Sequence, residues 1–132
     1  MSELVARGGC HCGRVRFQVQ VEKHIVAHRC NCSICHMLGF VHLIVPAAHF
    51  RLLQGEGDLR EYRFNSGVAR HLFCGHCGIK SFYVPRSNPD GFSVNLRCVD
   101  LPPEVKVTEE PFDGRNWEQH ADELRHLSRP PA

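Results

Sequence analysis

Seven of the chain's eight cysteines fall in three short clusters: Cys10-x-Cys12, Cys30-x-Cys32-x-x-Cys35 and Cys74-x-x-Cys77. A chain carrying such clusters must either bridge its sulfurs or gather them round metal ions. A disulfide within C-x-C would be strained, and Met1 to Gly9 lack the apolar stretch of a secretory signal. The clusters therefore read as metal sites in a reducing compartment, with the cytoplasm as the expected location. Zinc is the first expectation, although thiolate-rich tetrahedral sites also suit iron. Four sulfurs close a tetrahedral ion completely, whereas three leave a position for water or substrate.

Cys10, Cys12, Cys74 and Cys77 are expected to form the closed, structural site. Residues i and i+2 of an extended segment face the same way, so Cys10 and Cys12 can meet one ion. Cys74-Gly75-His76-Cys77-Gly78 has the sequence of a zinc knuckle, in which backbone N–H groups approach the sulfurs. His11 and His76 are expected to stay outside the coordination. Cys30, Cys32 and Cys35 form the open site. Its fourth position has two candidates in the sequence, His36 and Cys98, although a lone cysteine such as Cys98 is most often a small core residue. Spacing alone leaves open whether this second ion is catalytic or structural.

The rest of the chain indicates one domain over residues 1–132. Val15, Phe17, Val19 and Val21 alternate with Arg14, Arg16, Gln18 and Gln20, the pattern of a half-buried strand. Short runs at 25–28, 40–45, 50–53, 59–64, 68–73, 79–84, 92–97 and 105–108 continue the set. These predict a mainly β fold of packed antiparallel sheets. The single predicted helix is near the C-terminus, with Trp117, Ala121 and Leu124 on one face. The formal net charge is +2 and the basic residues are scattered, so a nucleic-acid partner is not expected. No stretch is apolar enough to span a bilayer.

Gly9-Cys10-His11-Cys12-Gly13 with its following V-x-F strand resembles the start of the glutathione-dependent formaldehyde-activating enzyme family, which includes centromere protein V and bacterial aldehyde-activating proteins. The resemblance continues through Cys30-Asn31-Cys32-Ser33-Ile34-Cys35, the segment Arg70 to Gly78, Phe82 to Pro85, Val94 to Asp100 and Phe112 to Glu118. Asn31 is closer to the animal centromere-protein branch than to the founding enzyme.

It implies a β-tent-like fold with two zinc ions. Cys10, Cys12, Cys74 and Cys77 would hold the structural ion, and Cys30, Cys32 and Cys35 an ion with an exchangeable position. The implied activity is a carbon–sulfur lyase type reaction on a small thiol–aldehyde adduct, with glutathione and formaldehyde as reactants. His36 is then the expected proton shuttle, and Arg70, His71 and Arg97 the expected anchors for a carboxylate-bearing thiol. The alternative function is a non-catalytic zinc module that binds a partner protein or chromatin.

Overall fold

The computed structural model describes residues 4–64, 67–116 and 122–128. The alternation in the sequence appears directly in β2 (Arg16–Val21), where Phe17, Val19 and Val21 are buried and the residues between them are half-buried. β2 lies between β1 (Leu4–Gly9) and β5 (Phe50–Gln54), and β10 (Val99–Asp100) pairs with the outer edge of β1. All pairings in this four-stranded sheet are antiparallel.

A second sheet has the order β11-β3-β4-β9-β8. Its members are β3 (His24–Cys30), β4 (Val41–Pro46), β8 (Phe82–Tyr83), β9 (Gly91–Asn95) and β11 (Lys106–Phe112). β6 (Leu59–Tyr62) and β7 (His71–Cys74) form a separate hairpin. One core cluster joins the inner face of β2 to Val45, Phe82 and Val94 of the second sheet. Phe17 is fully buried in it, against the rings of Phe50 and Phe82 at centroid distances of 5.2 Å and 5.8 Å.

The mainly β expectation holds, with one short helix near the C-terminus, α2 (Asp122–Arg125). Leu124 of that helix is buried against Ile44 and Phe112, while Trp117 and Ala121 lie outside the described residues. Two features depart from the sequence reading. β11 runs parallel to β3, in register from Lys106↔His24 to Phe112↔Cys30. These strands are distant in the chain, so no hairpin turn imposes an antiparallel direction. The second departure is a helix at 33–38, α1 (Ser33–Leu38), in addition to the single helix predicted near the C-terminus. Cys32 is its extended N-cap, and Gly39 ends it at φ 64°, donating its N–H to the Cys35 carbonyl at 3.0 Å.

Candidate metal centres and the cavity above the second

The Cys10 and Cys12 sulfurs are 3.5 Å apart, and Cys12 and Cys74 are 3.7 Å apart. Cys77 completes the group, in which every sulfur lies within 4.8 Å of the others. All eight cysteines are free thiols. Four Zn–S bonds of about 2.3 Å in a tetrahedron place neighbouring sulfurs about 3.8 Å apart, so the spacing fits a zinc ion and is far from a disulfide.

Local structure holds the sulfurs there. Val15 N–H donates to Cys10 Sγ at 3.3 Å, and His76 N–H donates to Cys74 Sγ at 3.4 Å. These bonds stabilise thiolate charge. The ring of His76 turns to Asp58, at 3.2 Å. Burial pushes the Cys77 thiol up, but N–H groups from Cys12 and Ile79 outweigh it, and its pKa settles at about 6. Cys10 and Cys74 belong to the main hydrophobic core, so this group ties the turn after β1 to the end of β7 at the centre of the fold.

The second group contains Cys30, Cys32 and Cys35, also within 4.8 Å of one another. Cys30 ends β3, Cys32 caps α1 and Cys35 is buried one turn into the helix. Hydrogen bonds from Cys30 and then Cys35 pull the Cys32 thiol well below its ordinary range, while those with Cys30 and then Cys32 push Cys35 far up. Three sulfurs sharing protons in this way are a donor set that a cation would satisfy.

The segment after β11 forms the other wall. Asn31 N–H donates to the Phe112 carbonyl at 3.2 Å, Asn31 Nδ2 donates to Asp113 Oδ1 at 3.0 Å, and Arg115 N–H donates to Asn31 Oδ1 at 3.0 Å. This clip presses Gly114 onto the cysteines. A Cβ at Gly114 would lie 2.3 Å from Cys30 Sγ.

Among the described residues, no fourth protein ligand joins the trio. His36 is exposed on α1 and lies outside both cysteine groups, because the residue after Cys35 is turned about 100° round the helix. Cys98 is also outside both groups, and the charges acting on it after burial are those of Cys10 and Cys77. The trio faces a cavity of about 370 Å³ instead. Arg86 and Arg115 line it, as do His28, His42, His71 and Tyr83. Of the anchors expected from the sequence, only His71 reaches this cavity. Arg70 pairs with Glu61 at 2.6 Å, and Arg97 donates to the Gly39 carbonyl at 3.1 Å.

Behind the trio sits a buried cation that the sequence did not single out. Lys80 Nζ contacts His71 Nδ1 at 2.6 Å and lies 3.9 Å from the Tyr83 ring centroid. It forms no salt bridge with a carboxylate among the described residues. Burial lowers its pKa to about 8, against the opposing pull of Cys35 and Cys32. His71 stacks on Tyr83 at 5.0 Å and is held at about 4, first by burial and then by the Lys80 charge. Neither Lys80 nor His42 belongs to a motif. Their signal was a polar residue inside an otherwise apolar strand run, which sequence alone does not separate from an exposed position.

Residues 5–115 match the family model described as glutathione-dependent formaldehyde-activating enzyme, and the chain belongs to that family. Every cysteine of both groups lies inside the matched span. Among solved structures, the chain is similar to a Rhodobacter sphaeroides protein. The two are 32% identical with a TM-score of 0.65, over 77% of this chain and 99% of that one. No helix among the described residues is long and apolar enough to cross a membrane.

Proposed function

We propose that the protein is a zinc-dependent carbon–sulfur lyase that makes and breaks the bond between a small thiol and an aldehyde, with glutathione and formaldehyde as the reactants suggested by its family. The observation that carries this is the pairing of a four-sulfur group anchored in the core through Cys10 and Cys74 with a three-sulfur group opening onto a cavity. In the forward reaction the thiol sulfur bonds to the carbonyl carbon, the C=O π bond opens, and the proton from sulfur ends on oxygen. A zinc ion held by Cys30, Cys32 and Cys35 would stabilise the thiolate form of the incoming thiol.

The remaining work falls to the chain. Arg86 and Arg115 line the cavity and supply the cationic groups that a carboxylate-bearing thiol requires. Lys80 supplies positive charge behind the sulfurs and offsets the excess negative charge of a three-thiolate site. Apolar walls from Ile34, Ile44, Phe64 and Phe112 limit water around the reacting carbon. The exposed His36 takes no part.

Adduct formation from formaldehyde and glutathione, followed by NMR against a protein-free control, tests the proposal. Wild type should accelerate both formation and breakdown of the adduct. Cys32→Ser should abolish the acceleration while leaving the fold and the four-sulfur site intact. Normal turnover by a folded Cys32→Ser protein would refute the proposal.

A further inference from the structure

β11 is an edge strand. It pairs with β3 on one side, and no described strand pairs with it on the other. Its residues from Lys106 to Pro111 are all exposed. Lys106 N–H donates to the Lys23 carbonyl at 2.7 Å, and Asn31 N–H donates to the Phe112 carbonyl at 3.2 Å. In a parallel ladder, residues bonded to one neighbour alternate with residues whose backbone groups face away from it. With the register Lys106↔His24 to Phe112↔Cys30, the even-numbered residues of β11 serve β3. Val107 and Glu109 therefore turn their N–H and C=O groups outward, where no described residue bonds to them. Pro111 presents a carbonyl there and no N–H.

Such an edge is a template for another strand, and the sequence of β11 decides which strand fits. Consider two copies paired antiparallel about a two-fold axis at Thr108. Val107 of each copy then stands against Glu109 of the other, and the two pairs use every outward N–H and C=O of these residues. Lys106 of each copy stands opposite Glu110 of the other. Both of these pairs are at non-hydrogen-bonded positions, where Cα atoms come within about 4.5 Å and opposite charges attract. Sliding one copy by two residues in one direction sets Glu109 against itself. Sliding it in the other sets Glu104 against Glu110 and calls on the Val105 N–H, which already donates to the Pro102 carbonyl at 3.0 Å. Pro111 ends the ladder just beyond Glu110.

We infer that β11 is a self-association edge, through which two copies of this chain join antiparallel with Lys106 of each against Glu110 of the other. The five-stranded sheet then runs on without a break from one copy into the next. The two-fold axis uses up both β11 edges, so this contact closes at the dimer. It is narrow, and the dimer forms and dissociates reversibly. The inference goes beyond the thiol–aldehyde function proposed above and stands independently of it.

The test is analytical ultracentrifugation of the full chain from micromolar to millimolar concentration. Wild type should pass from monomer to dimer as concentration rises. Lys106→Glu and Glu110→Lys each set like charges against each other in both pairs, and each should weaken the dimer about ten- to hundredfold. The double variant Lys106→Glu/Glu110→Lys restores opposite charges and should return the affinity to within a few-fold of wild type. Circular dichroism melting confirms that each exposed-site variant is folded. Four results would overturn the inference: a wild-type monomer at every concentration, association only with a co-purified foreign polypeptide, a dimer indifferent to either single reversal, or a double variant no tighter than the singles.

Discussion

Gly114→Ala is a one-methyl test of how the second cysteine group is held. The added Cβ would sit 2.3 Å from Cys30 Sγ and 3.1 Å from Cys32 Cβ. Ordinary nonbonded contacts of this kind begin near about 3.5 Å, so something must give by about an ångström. Cys30 cannot swing away without leaving the trio, and the backbone at 112–115 is pinned to Asn31 by three hydrogen bonds. Overpacking of this sort costs about 1–3 kcal/mol. Displacing one ligand should weaken the second ion about 10–100-fold, and activity should fall on the order of 100-fold with the misplaced site. The four-sulfur site does not contact Gly114 and should keep its ion. Competition with a chromogenic chelator gives both affinities, and thermal melting gives the fold. A folded Gly114→Ala protein with wild-type affinity at both sites would refute the packing on which this rests.

Lys80→Met should lower affinity at the second site on the order of tenfold while the first site is unaffected. The same chelator competition reads this, and equal loss at both sites would contradict it. Acid should destabilise the protein through its buried imidazoles. The folded pKa of His42 is lowered to about 3 and that of His71 to about 4, in each case by burial first and the Lys80 charge second. Both values lie below the unfolded value of about 6.5, so the unfolded chain binds more protons as pH falls from there. Their contribution is present above about pH 6.5 and is lost towards about pH 3. At about pH 4.5, His42 alone accounts for a loss of about 2–3 kcal/mol. Denaturant unfolding at neutral and acid pH should therefore show a shallower loss in His42→Phe than in wild type, and parallel losses would contradict the buried neutral ring.

The sequence is informative where one residue type carries the chemistry. Cysteine spacing sorted seven sulfurs into the groups that the fold brings together, and the alternation in β2 placed a central strand. It is silent where partners come from distant segments. β1 is built from Leu4-Val5-Ala6-Arg7-Gly8-Gly9, small and mixed residues that leave little periodic signal. The polar face of β11 is exposed along nearly its whole length, so its parallel pairing with β3 has no apolar pattern to announce it. Yet β11 delivers Gly114 and Arg115 to the second site. The placing of His28, His42 and Lys80 depends on strand register and on what lies behind the sheet. His36 shows the converse: it is next to Cys35 in sequence, but the turn of α1 leaves it exposed and outside the cysteine group.

Native mass spectrometry of the protein and two variants tests the central claim most directly. Two zinc ions per chain are expected in wild type, matching the two sulfur groups. Cys32→Ser should retain one ion and a folded chain, whereas Cys74→Ser should lose the fold with its buried ion. A wild-type chain that carries no metal, or a Cys74→Ser chain that stays folded with both ions bound, would contradict the division into an enclosed site and a reachable one.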